Sequence, residues 1–136
     1  MSDPREVLER SDVVAVVGFS TNPRKAAHRI PAQLMDAGFR VIPVHPTADE
    51  ILGQRVYRSL RDIPEPVDLV DVFRPAEEAP GIARDAVDMG ARALWLQQGI
   101  VSPEARAIAR AAGLDYVEDR CTGADTRWWG ITKTAA

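Results

Sequence analysis

The chain has 136 residues, 46% apolar and 27% charged, a composition that supports one hydrophobic core, leaves no room for a second catalytic domain and excludes disorder. Twenty acidic against seventeen basic side chains give a formal charge of −3, which argues against general affinity for nucleic acid or an anionic membrane. With Cys121 as the only cysteine, no internal disulfide can form. There is also no charged-then-apolar leader and no apolar run of membrane-spanning length, so a cytoplasmic protein is expected.

In chain order, "MSDPREVLERS" reads as a short helix with Asp3 as N-cap, Pro4 at the first helical position and Val7 and Leu8 turned inward. "DVVAVVG" is a near-continuous β-branched run, the signature of a strand buried on both faces of a parallel sheet. "AAHRIPAQLMDAG" places Ala27, Ile30, Leu34 and Ala37 on one helical face, with Gly38 as the stop, and Pro31 sets the helix start near Ala27 or His28. "FRVIPVHP" is the second strand.

Segment 47–66 is less regular, with a turn at Gly53, a short extended piece at Arg55–Tyr57 and a short helix around Ser59–Asp62. "VDLVDVF" is the third strand, "PAEEAPGIARDAVDMG" a helix interrupted near Pro80-Gly81, and "ARALWLQQG" the fourth strand. A helix with Ser102 as N-cap, Pro103 at its first position and Gly113 past its end precedes "LDYVEDR", the fifth strand. This alternation specifies a single α/β domain over residues 1–136: a three-layer Rossmann-like fold with a five-stranded, mainly parallel sheet and residues 124–136 packing as a tail.

In such sheets ligands bind beyond the carboxyl ends of the strands, where the strand order reverses. Five segments converge there: Gly18–Lys25, His45–Thr47, Phe73–Ala76, Gln97–Ile100 and Asp119–Gly123. The first of them ends at a helix N-terminus, where free N–H groups and the helix dipole favour an anion. Arg24, Lys25, His28 and Arg29 gather at that end. Four basic residues also describe an ordinary solvated face, but cations are unfavourable at a helix N-terminus and call for a compensating anion, so a phosphate-bearing ligand is expected. The G-x-G-x-x-G turn, an acidic residue closing the second strand and a P-loop are all missing, which counts against NAD and nucleoside triphosphates.

The stretches "VVGFSTNPRKAAHRIPAQLMDAGFRVIPVHP", "VDLVDVFRP", "LWLQQGI" and "EDRC" resemble the small stand-alone CoA-binding proteins and, more distantly, the CoA-binding domain of the succinyl-CoA synthetase alpha subunit, over residues 5–123. The resemblance implies a Rossmann-like fold holding coenzyme A or an acyl-CoA. By it, Gly18, Phe19, Ser20, Asn22, Arg24 and Lys25 hold the phosphates, and His45, Pro46 and Thr47 border the adenosine end. Phe73, Arg74 and Pro75 line the middle of the crevice, while Gln98, Gly99 and Ile100 meet the pantetheine arm. The synthetase phosphorylates a histidine in a further domain that this chain lacks, and neither His28 nor His45 stands in for it.

The remaining candidates read as structural. Cys121 follows the fifth strand and is either a reactive thiol or a packed one, the latter favoured. Asp68 and Asp71 lie on opposite strand faces, and Glu118 and Asp119 cap or pair with Arg120. Trp95 is core, and Trp128 with Trp129 anchors the tail rather than covering an adenine or another subunit. No catalytic residue and no metal site is expected. The expectation is a CoA-binding module, with a protein partner or homo-oligomer open; the alternatives are an NAD(P)-binding oxidoreductase and an acyl-CoA-using enzyme.

Overall fold

The β-branched runs become one sheet of five parallel strands in a computed structural model that describes residues 1–134. After helix α1 (Pro4–Arg10) come β1 (Val13–Val17), α2 (Ala26–Asp36) and β2 (Arg40–Val44). A two-residue hairpin, β3 (Glu50–Ile51) with β4 (Gln54–Arg55), turns at Gly53 and leads into a 3-10 turn at Leu60–Asp62. Then follow β5 (Leu69–Val72), a 3-10 turn at Ala76–Glu78, α3 (Ala79–Asp88), β6 (Ala93–Leu96), α4 (Pro103–Ala111), β7 (Asp115–Val117) and α5 (Thr122–Trp128). The sheet order is β2-β1-β5-β6-β7, and every pairing in it is parallel.

Alternate residues of the sheet feed two apolar layers. Ala15, Val70, Val72, Leu94 and Leu96 meet Ala79, Ala83, Ala86, Ala105 and Ala109 of α3 and α4, whose small side chains let both helices lie close to the sheet. Val14, Val16, Leu69 and Trp95 face the other way, against Val7 and Leu8 of α1 and Leu34 of α2. Pro43 is tolerated within β2 because that strand is an edge, and its carbonyl takes the N–H of Tyr57 at 3.0 Å, so segment 55–57 covers part of the edge.

Capping at Asp3 and Ser102 is as the sequence indicates: Asp3 accepts from the Arg5 N–H and Ser102 from the Ala105 N–H. Two helix expectations need correction. Pro80 does not interrupt a helix; it occupies the first turn of α3, where a missing N–H costs nothing. Helix α2 begins at Ala26, slightly earlier than Pro31 suggested, so Pro31 lies inside the helix. Having no N–H, Pro31 leaves the carbonyl of Ala27 free, and the N–H of Ser20 takes it at 3.0 Å.

The segment read as a tail begins as α5, packed on α1 and α2, with Thr122, Asp125 and Thr126 buried. Gly123 lets α5 approach closely, since an added Cβ would stand 3.1 Å from Ile30. Trp129 packs on the second apolar layer with Arg120 over its ring at 5.7 Å, whereas Trp128 is 81% exposed. The chain then crosses α1, where Lys133 Nζ donates to the Glu9 carbonyl and sits over the Phe39 ring. The last two tail residues lie outside the described residues.

Trp95 joins these parts: it is fully buried, and its Nε1–H donates to the Arg120 carbonyl at 2.8 Å, ahead of α5. Trp95→Phe leaves a void and an orphaned carbonyl, and should lower unfolding free energy by about 2–4 kcal/mol in urea titrations. A loss below about 0.5 kcal/mol would show that α5 is held without this contact.

Candidate functional site

Strand β1 connects through α2 on one face of the sheet and β5 through α3 on the other, so the order reverses between these neighbours. Beyond their carboxyl ends lies a cavity of about 570 Å³, walled by Gly18, Phe19, Lys25, His45, Phe73 and Arg74 among others. Gly18, at φ +90°, permits it: an added Cβ would stand 2.9 Å from the Phe73 carbonyl and 2.8 Å from Arg74 Cδ. The loops after β1 and β5 can touch only because that side chain is missing.

Much of the loop after β1 satisfies its own backbone. The Gly18 N–H donates to the Val44 carbonyl, Asn22 N–H to Ser20 Oγ, Arg24 N–H to Asn22 Oδ1 and Lys25 N–H to the Asn22 carbonyl. At the start of α2 the N–H groups of Ala26 and Ala27 meet no acceptor among the described residues. Lys25 occupies the N-cap position without a side-chain cap bond, and the first turn contains no acidic residue. The helix therefore presents bare donors and a cation at its positive end, an arrangement that stabilises an anion. His28 donates from Nδ1 to the Ser20 carbonyl at 2.7 Å and holds the loop from inside.

The opposite wall is fixed by Arg58, whose guanidinium donates to the carbonyls of His45, Thr47 and Ala48 and to Asp49 Oδ1. His45 Nδ1 accepts from the N–H groups of Thr47 and Ala48, which leaves the ring proton on Nε2. Arg74 forms a two-point pair with Glu78 at 3.2 and 2.7 Å, which holds its guanidinium firmly in the charged form.

A second cavity of about 530 Å³ adjoins the first, sharing Lys25, Ala27 and Phe73 with it. It runs past Ala26, Ile30, Gln97, Gln98 and Ile100 to Cys121, which is half-buried and takes the Ala124 N–H as N-cap of α5. A larger groove of about 750 Å³ lies along the outside of α3 and α4 and meets the first cavity at Glu78 and Ile82; within it Arg61 pairs with both Asp85 and Asp88.

Behind the second cavity, Thr122 Oγ1 lies 2.9 Å from Asp71 Oδ2 and 2.8 Å from Gln97 Oε1. Gln97 Oε1 also accepts the Thr122 N–H at 3.1 Å, which fixes the amide's orientation. The threonine hydroxyl has one proton for two acceptors, so satisfying both contacts requires a proton on Asp71, giving the chain Asp71 O–H, Thr122 O–H, Gln97 carbonyl. Burial favours the same result, pushing the Asp71 carboxyl up to about 8; a Thr122 hydroxyl turned toward the carboxylate would oppose that shift, and turned toward Gln97 it does not. Asp71 Oδ1 has no partner among the described residues, a far smaller cost on a neutral acid than on a carboxylate.

Of the residues singled out in the sequence, Gly18, Phe19, Ser20, Lys25, His45, Pro46, Phe73 and Arg74 line the first cavity, and Gln98 and Ile100 the second. Asn22, Arg24, Thr47, Pro75 and Gly99 line neither. Asn22 and Thr47 shape loops, Gly99 donates to Asp119 Oδ1, Pro75 precedes a 3-10 turn, and Arg24 is exposed. Sequence reasoning passed over Arg58, placed Gln97 in a converging segment without giving it a role, and gave Asp71 a structural role without its proton. Asp68 accepts the N–H groups of Asp12 and Val13, while Arg120 pairs with Asp125 rather than with Glu118 or Asp119.

A family model described as CoA binding domain matches residues 12–127. The chain is 40% identical over 117 residues to the uncharacterized protein YneT of Bacillus subtilis, covering 86% of this chain and 87% of that protein. It is 35% identical over 79 residues to the ADP-forming acetate–CoA ligase II of Archaeoglobus fulgidus, covering 57% of this chain but 12% of the ligase. Among solved structures, a hypothetical protein from Pyrococcus horikoshii superposes with a TM-score of 0.89 at 33% identity, covering 93% of this chain and 89% of that one.

The state of Asp71 has a measurable signature. An unfolded aspartate ionises near ~3.9, whereas Asp71 in the folded protein does so only at about 8. Between those values folding takes up a proton, so the stability Asp71 contributes is complete below the unfolded value, declines as pH rises and is gone above the folded one. Asp71→Asn keeps a donor for Thr122 and does not ionise. In urea titrations the variant should gain on the parent steadily from pH 5 to 8 and then run parallel; curves parallel throughout would show an ionised Asp71.

Proposed function

This chain belongs to the CoA binding domain family, and from that premise we propose that it binds coenzyme A, free or acylated, across the two joined cavities. The observation that carries this reading is the uncapped first turn of α2: the free N–H groups of Ala26 and Ala27 and the Lys25 ammonium stand where the cavities meet. Coenzyme A is an anionic head joined through a pyrophosphate to a long uncharged arm. A charged junction between a cavity of mixed lining and a more apolar one fits that shape.

In this reading the pyrophosphate rests on Ala26, Ala27 and Lys25, the adenosine end lies in the first cavity against His45 and Pro46, and the arm passes Phe73 into the second cavity toward Gln98 and Ile100. Arg24, exposed on the same loop, reaches a phosphate from the rim. Thr47, Pro75 and Gly99 support these walls from behind, and Asn22 orders the loop through the Arg24 N–H. The role is ligand binding, with no reaction assigned. A cytoplasmic, reducing compartment is proposed with it, as Cys121 is a free thiol.

Calorimetric titration with CoA, 3′-dephospho-CoA and NAD at fixed ionic strength tests the reading. CoA should bind, binding should weaken without the 3′-phosphate, and NAD should be silent; NAD binding with CoA silent would overturn it. Lys25→Ala and Arg24→Ala should each cost about 1.5–3 kcal/mol of CoA affinity, the usual worth of hydrogen bonds to charged groups. Unchanged affinity in Arg24→Ala removes that residue from the site and leaves Lys25 in it.

A further inference from the structure

Gln97 is 6% exposed and lines the second cavity, yet only half of its amide is used. Oε1 accepts twice from Thr122, while Nε2 meets no acceptor among the described residues and is not sealed off in the interior. Around it the cavity wall is largely apolar, with Ala26, Ile30, Phe73 and Ile100. An amide N–H that opens only onto a largely apolar cavity has few acceptors to choose from, and a ligand's carbonyl supplies one.

The amide cannot exchange its ends, because turning it over would set Nε2 against the Thr122 N–H, donor facing donor. The hydroxyl adds to this: with a proton on Asp71 to share with Thr122 Oγ1 at 2.9 Å, the single Thr122 proton is left for Gln97 Oε1 at 2.8 Å. Each bond in such a chain polarises the next, which makes the far N–H a better donor.

We propose that Gln97 Nε2 donates a hydrogen bond to an amide carbonyl of the pantetheine arm in the second cavity, and that Thr122, whose N–H and hydroxyl both hold Gln97 Oε1 and whose hydroxyl is backed by Asp71, is the positioning residue that keeps the Gln97 amide turned that way. The inference rests on the coenzyme A reading. It makes the second cavity selective for an uncharged arm with carbonyl acceptors, which a nucleotide alone does not have.

The test compares CoA with adenosine 3′,5′-bisphosphate, which has the phosphate-bearing head and no arm. In the parent protein, CoA should shift the NMR resonances of the Gln97 side-chain NH2 and the bisphosphate should leave them in place. Gln97→Met should weaken CoA about five- to tenfold, one neutral hydrogen bond, with bisphosphate affinity unchanged. Thr122→Val, which keeps the backbone N–H on Gln97 Oε1 and removes the hydroxyl, should give a smaller loss that is likewise confined to CoA, and Thr122→Ser should restore parent affinity, with Asp71→Asn behaving like the parent. CoA binding that leaves the Gln97 resonances unmoved, or parent affinity in Gln97→Met, overturns the Gln97 contact while the coenzyme A reading stands. Equal weakening of both ligands by Thr122→Val overturns the positioning role. Failure of the parent protein to bind CoA overturns this inference together with the reading beneath it.

Discussion

Two neighbouring parallel strands, β1 and β5, send their connections to opposite faces of the sheet, and the rest of the molecule is arranged around that reversal. Right-handed crossovers leave no alternative once the order is β2-β1-β5-β6-β7. The helices that follow the two strands diverge, so the space beyond the carboxyl ends is filled by neither. Gly18 then decides how narrow the opening is, because the β1 and β5 loops meet across a position where a methyl group would collide with the Phe73 backbone. The opening is thus a consequence of topology, trimmed by a single residue.

Much of this was legible in the amino-acid sequence because it depends on local chemistry. Runs such as Val13–Val17 are too uniformly apolar for a half-exposed strand, and the Ser102-Pro103 pair marks a helix start whatever surrounds it. The cluster at Arg24 and Lys25 was visible because it violates the charge preference of a helix N-terminus. Helix α5 was missed for the converse reason: "TGADTRW" is polar, and its buried face consists of Thr122, Gly123, Asp125 and Thr126, which carry no apolar period.

Arg58 and the part played by Gln97 were hidden differently. Arg58 lies in an irregular segment, and its partners are backbone carbonyls, which no side-chain pattern announces. Gln97 is adjacent to Gln98, and only the register of β6 against its neighbours shows which of the two turns inward. Asp71 reads as an ordinary acidic residue near a strand end; that it is enclosed on every side depends on α5 folding over it. In each case the missing information is a long-range contact.

Pro31 carries a further consequence. By withholding an N–H from the Ala27 carbonyl it leaves an acceptor that holds Ser20, and with it the loop at the head of α2. Any other residue at that position would restore the helix's own hydrogen bond and place a second donor at the same oxygen. Helix regularity and loop order would then draw on one carbonyl, so a substitution chosen to strengthen the helix would weaken the bond that holds Ser20 by sharing its acceptor. This is a trade-off between robustness and recognition, built into the backbone of a single helical turn.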